Sequence, residues 1–179
     1  MFRTGLLLTA LVSPLALAEV PVDPHQVWVS VGSNMATGRN AFDLGFGYQL
    51  GYRYHFNDHL AVDAAWVEQS GGLGTAFSLG LLQESLDYRG ATLGLKGTLP
   101  VSSWSYAFIR AGVNYGKATH EIRYQGEERF DYQGVRPYIG GGVGFRLGQH
   151  WDLTAEYQHI AMDNGFASNS ALMGLGYRF

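Results

Sequence analysis

The side chains in this sequence that could do chemistry are few and regularly placed. No cysteine occurs among the 179 residues, so disulfides, thiolate metal sites and cysteine nucleophiles are excluded. His55, His59 and His150 fall beside tight turns and are not read as a metal set, and no cofactor is expected. The chemistry that remains is electrostatic. Arg53, Asp63, Lys96, Arg110, Arg146, Asp152, Glu156 and Arg178 each alternate with apolar or aromatic neighbours. In extended chain, such residues all point to the side opposite the apolar one. An unpaired buried charge costs several kcal/mol, so the pattern predicts an enclosed ion-pair network with some water.

The elements that must position these charges are strands, because the hydrophobic period is 2 and not 3.6. Residues 45–56 show it most clearly. Phe46, Tyr48, Leu50, Tyr52, Tyr54 and Phe56 share one face, against Gly45, Gly47, Gln49, Gly51, Arg53 and His55. The same sorting recurs over 27–33, 60–67, 90–99, 107–116, 135–147, 151–158 and 171–179. Short connections at Asn57-Asp58-His59, 100–103 and Gly148-Gln149-His150 read as tight turns. The segments near 35–43, 68–87, 118–133 and 161–170 read as longer linkers. Alternating short turns and long loops predict an up-and-down arrangement of about eight antiparallel strands closed into a barrel.

Composition narrows the class. Charged residues make up 15% of the chain, with Gly 25, Tyr 11 and Phe 10. Soluble domains average about 25% charged. Mean hydropathy is −0.05, as expected where apolar and polar residues alternate. A soluble sandwich does not explain apolar residues on one face of every strand with charges collected on the other. Net charge is −3 and no basic run occurs, which argues against a nucleic-acid partner. At the N-terminus, Arg3, the apolar Leu6, Leu7, Leu8, Leu11 and Val12, and Ala16-Leu17-Ala18 read as a secretory signal over 1–18, cleaved before Glu19. The mature domain is then 19–179, a single exported domain expected in the bacterial outer membrane as a monomer.

The last segment, Ala171-Leu-Met-Gly-Leu-Gly-Tyr-Arg-Phe179, resembles the terminal strand of OmpA- and OmpX-type outer-membrane barrels. Gly51-Tyr-Arg-Tyr-His-Phe-Asn-Asp-His-Leu-Ala-Val-Asp63 and Leu153-Thr-Ala-Glu-Tyr-Gln158 are similar to the same group. The resemblance implies a closed eight-stranded transmembrane barrel (about 8 strands enclose only side chains). It implies that Met173, Leu175, Tyr177 and Phe179 form the signal read by the outer-membrane assembly machinery. The peptidoglycan-binding domain of OmpA is not expected after Phe179. The superfamily includes adhesins, resistance factors, small pores and enzymes, so architecture is better specified than activity. Tyr157-Gln-His159-Ile-Ala161 resembles the lipid A deacylase motif, but Ala161 stands where that family carries its serine nucleophile. Catalysis is therefore not expected.

The expected role is noncatalytic: external loops presented for surface interaction, whether adhesion, resistance or envelope integrity. The alternatives are a small low-conductance pore and, more remotely, a lipid A-modifying enzyme. Expected partners are outer-membrane lipid and lipopolysaccharide, the assembly machinery, and a host or surface ligand of unknown nature. Residues 118–133 continue the alternation past the 9–11 residues or so that a spanning strand needs. They predict a charged hairpin beyond the membrane, carrying Arg123, Tyr124, Glu127 and Arg129, whose edge offers itself for strand addition. The unusually apolar stretch 72–86, with Phe77 and Leu81, is expected to cover the barrel mouth.

Overall fold

The computed structural model describes residues 23–38, 41–70, 84–122, 128–161 and 167–179. Its strands are β1 (His25–Gly38), β2 (Ala41–His55), β3 (Leu60–Ser70), β4 (Glu84–Pro100), β5 (Ser105–Ile122), β6 (Glu128–Leu147), β7 (Trp151–Ala161) and β8 (Ala167–Arg178). Each pairs antiparallel with its sequence neighbours, and β1 pairs with β8 to close the barrel. The seam is continued at one end by His25 and Phe179. The His25 amide donates to the Phe179 carbonyl at 3.1 Å, and the Phe179 amide returns a bond at 2.8 Å. Closure leaves no free edge around the wall, the condition for a sheet to cross a bilayer.

The barrel is built inside out relative to a soluble protein. Val31, Leu50, Leu93, Ile109 and Met173 face outward with 56–63% of their surface exposed. Buried positions hold Gln26, Gln49, Arg53, Asp63, Lys96, Arg110, Asp152 and Gln158 instead. An apolar exterior over a polar interior is stable only where the surroundings are hydrocarbon.

The tight turns are set by local side chains. Asn57 Oδ1 accepts from the amides of His59 and Leu60, both at 2.8 Å, an Asx turn that reverses the chain between β2 and β3. Ser102 Oγ accepts from the amides of Trp104 and Ser105 at 3.3 and 3.1 Å. Gly148 has φ 76°, a left-handed conformation that glycine adopts without a Cβ clash. All three turns lie at the end that carries His25 and Phe179.

At the other end the strands run further than the apolar pattern indicated. The β1–β2 ladder continues to Gly38↔Ala41, β7 meets β8 up to Ala161↔Ala167, and β4 begins at Glu84. Within the segments read as long linkers, 35–38, 41–43, 161 and 167–170 are therefore strand. Above a membrane both faces of a sheet can be polar, as along Ser168-Asn169-Ser170. Backbone ladder bonds hold such a strand after the apolar alternation has stopped.

Candidate functional site: the charged lumen

The even or odd parity of each strand sends one set of side chains into the barrel, where they form a continuous polar cluster. Arg110 of β5 is at its centre, with 1% of its surface exposed. Its Nε donates to Glu156 Oε1 at 2.5 Å, one terminal nitrogen to Asp63 Oδ2 at 3.3 Å, and the other to Gln49 Oε1 at 2.8 Å. Asp63 also receives Arg53 at 3.0 Å and the Tyr138 hydroxyl at 3.3 Å. Arg53 reaches Gln26 Oε1 at 2.9 Å, and Gln26 donates to Asp152 Oδ2 at 2.8 Å. Arg178 stands 3.6 Å from the same Asp152 oxygen. Arg53, Asp63, Arg110, Asp152, Glu156 and Arg178 thus share one connected network.

Lys96 and Arg146 are held differently. The Lys96 ammonium lies 4.3 Å from the Phe108 ring centroid and 5.0 Å from that of Tyr106, and the Arg146 guanidinium lies 5.8 Å from Tyr106. Ring faces carry negative quadrupole density and attract cations, more strongly when water is excluded. Trp28 serves two further arginines in the same way, with Arg110 at 4.9 Å and Arg53 at 5.4 Å from its ring.

Neutral amides and aromatics complete the filling, and the charge pattern alone did not reveal them. Gln49 donates to Gln158 at 2.5 Å. Towards the far end, Gln69 takes a bond from Ser168 at 2.7 Å and gives one to Ser170 at 3.2 Å, while Tyr88 donates to Asn114 at 2.5 Å. Their signal in the sequence was their parity, which they share with the charges. The inward glycines do not empty the barrel. A Cβ at Gly51 would collide with the Trp28 indole, and one at Gly144 with the Tyr106 ring. The volume these glycines give up is occupied by large rings folded flat over the backbone. A pocket beside Lys96, Asp152, Thr154 and Glu156 has about 10 Å³, roughly one water.

The other singled-out residues are placed as follows. Met173, Leu175, Tyr177 and Phe179 all face outward. Tyr177 packs edge-on against Trp151, with centroids 4.9 Å apart, and parallel to Phe179 at 6.3 Å. His159 bonds Asn169 at 2.8 Å on the outer surface. His55 and His59, four apart, do not converge. His55 is buried against Gln26 at 3.1 Å, while His59 bonds the Thr98 carbonyl at 3.2 Å beyond the turn. No group of three or more His, Asp or Glu gathers among the described residues. Phe77, Leu81, Arg123, Tyr124 and Glu127 lie outside the described residues. Arg129 lies in β6, opposite Glu121 in the ladder.

Among the described residues, the ladders that join β4, β5 and β6 are the longest in the wall. The β5–β6 ladder extends to Ile122↔Glu128 and the β4–β5 ladder to Glu84↔Ile122. On the flanks, among the described residues, β6 meets β7 as far as Tyr138↔Ile160, and β3 meets β4 as far as Gln69↔Tyr88. A three-stranded ledge therefore projects, with residues 128–137 of β6 along one margin.

Solved structures of similar fold come from small barrels. Neisserial surface protein A matches with a TM-score of 0.70 at 12% identity, over 87% of this chain and 97% of that one. Ail of Yersinia pestis, the attachment invasion locus protein, matches with 0.58 at 18% identity, over 86% and 98%. The N-terminal β-barrel domain of Pseudomonas aeruginosa OprF matches with 0.56 at 14%, over 88% and 98%. No curated protein sequence matches the chain. The family model for the outer membrane protein beta-barrel domain matches residues 4–179. With an apolar exterior, a closed antiparallel wall and that match over nearly its whole length, the chain belongs to the outer-membrane β-barrel domain family.

Proposed function

We propose that this protein is a noncatalytic outer-membrane barrel whose task is to present its far end, above all the β4–β5–β6 ledge, for interaction at the cell surface. The observation that supports this reading is the contrast between the two parts of the molecule. Bonded side chains cross the lumen around Arg110, while among the described residues the ledge continues its ladders past those that tie it to β3 and β7. A rigid, closed wall anchoring a projecting sheet suits surface contact better than transport. The tight-turn end, with both chain ends of the barrel, then faces the periplasm. Residues 1–18 act as the export signal, and Phe179 and Tyr177 serve assembly.

The test is an epitope inserted between Gly126 and Glu127. Intact cells should bind an impermeant antibody against it, and the purified protein should give no discrete openings in planar bilayers. An epitope reached only after the cells are broken would overturn the orientation. Reproducible unitary openings would favour the small-pore reading, for which the surplus of lumen cations over carboxylates would then set anion selectivity. Ail has been solved with the heparin analogue sucrose octasulfate, which makes heparin a reasonable first probe of attachment by the exposed ledge.

A further inference from the structure

The lumen pocket of about 10 Å³ collects hydrogen-bond donors that nothing satisfies. Trp28, Ser30, Arg53 and Lys96 border it, together with Asp152 and Glu156. Trp28 Nε1, Arg53 Nε and Ser30 Oγ are buried and have no hydrogen-bond partner among the described residues. Their side chains are not surface groups that water can reach: Trp28 is 8% exposed, and Arg53 and Ser30 5% each. A buried donor left unpaired is costly, and here several converge on one small space.

Each is left over for a structural reason. The Trp28 indole lies flat over Gly51, so its in-plane N–H runs along the wall and meets no ladder carbonyl. Arg53 spends its two terminal nitrogens on Gln26 and Asp63, at 2.9 and 3.0 Å, which leaves Nε. The buried Lys96 ammonium rests on the rings of Phe108 and Tyr106. Ring faces attract its charge but do not saturate three N–H groups. The carboxylates are engaged by other groups. Glu156 Oε1 takes Arg110 Nε at 2.5 Å, and Asp152 Oδ2 takes Gln26 at 2.8 Å. The unused capacity around the pocket is therefore of the donor kind.

We infer that this pocket is a site for one chloride ion, held by the Trp28 and Arg53 N–H groups and the Ser30 hydroxyl, with the Lys96 ammonium as countercharge. A water would accept the same bonds but would bring two further donors to a place already short of acceptors. A halide brings none. The volume admits a single small occupant, which excludes sulfate and phosphate. Two bordering cations make the burial of the ion tolerable. Its ligands come from β1, β2 and β4, so the ion ties three strands together inside the barrel. It is enclosed as the barrel folds and does not pass through.

Because the site is enclosed, the test refolds the full-length chain in detergent micelles with each anion present from the start: sodium chloride, bromide or gluconate at one ionic strength. The readout is the temperature at which the folded band is lost on unboiled gels. It should be higher in chloride and bromide than in gluconate, and should climb with the logarithm of chloride concentration, as for a ligand of the folded state. Trp28→Phe keeps a ring over Gly51 but lacks the N–H. It should need about tenfold more chloride for the same rise, the scale of one charge-assisted hydrogen bond. Crystals grown in bromide should give an anomalous peak between Trp28, Ser30, Arg53 and Lys96. A wild type equally stable in chloride and gluconate would overturn the site, and that arm needs no variant to fold. Ordered water without anomalous signal in the pocket would overturn it too, as would an unchanged chloride dependence in a Trp28→Phe protein whose gel mobility is still heat-dependent.

Discussion

Arg110 donates to Glu156, Asp63 and Gln49 at once, and it is almost wholly buried. Replacing it with Met leaves Glu156 without its cation, whereas Asp63 keeps Arg53 and Tyr138. Breaking a buried pair on one side costs about 3–5 kcal/mol, so Arg110→Met should lower the unfolding free energy by that amount in urea titrations from lipid vesicles. Arg110→Met combined with Glu156→Leu should recover part of the loss, because no orphaned carboxylate remains at that contact. Gly51 offers a second test. Its missing Cβ is what lets the Trp28 indole lie against β2. Gly51→Ala should cost about 1–3 kcal/mol through overpacking, and Trp28→Leu in the same chain should relieve it. If Gly51→Ala alone is neutral, the ring is not fixed there as described.

At the scale of the strand, two depths on the outer face of β4 should respond to charge in different ways. Leu93 lies mid-belt and is 56% exposed to the surroundings, while Leu99 sits near the turn. Arginine on the lipid face costs about 2–4 kcal/mol at the midplane and about 0–1 near an interface. Leu93→Arg should therefore destabilise the barrel in vesicles much more than Leu99→Arg, and equal effects would contradict the placement of the belt. The last strand carries a kinetic expectation. Phe179 closes the seam through paired bonds with His25, and its ring stacks on that imidazole at 5.8 Å. Phe179→Ser keeps the backbone bonds but removes the aromatic end. The expected result is slower appearance of the folded form in cells, read by pulse-chase on unboiled gels, with little change in stability once folded.

For the whole molecule, the closed ladder and the packed lumen together mean that the barrel unfolds as one unit. Opening any strand pair would expose backbone groups to hydrocarbon. Unboiled protein should therefore migrate at a different apparent size from boiled protein on a denaturing gel, and complete recovery in the soluble periplasmic fraction would refute membrane insertion. Cutting the ledge back by replacing residues 119–131 with a short turn should leave this gel shift intact. The wall below Lys117↔Gln133 keeps all its neighbours, so the ledge can be lost without the barrel.

Much of this was legible in the sequence, for a physical reason. Side chains of a strand alternate sides without exception, so parity alone separated the lipid face from the lumen at Leu50 and Arg53, or at Leu93 and Lys96. Asn57 and Gly148 marked their turns because their backbone needs are local. The tertiary structure decided what parity cannot carry. Which charges meet depends on how far each side chain reaches across the closed barrel: Arg110 finds Asp63 and Glu156 from two other strands, while Lys96 rests on rings. Closure also decided what fills the space beside the inward glycines, since parity shows that Gly51 and Gly144 point inward but not that Trp28 and Tyr106 lie against them. The height of the strands beyond the belt was hidden as well, because above the membrane both faces are polar and the hydrophobic period disappears while the backbone ladder goes on.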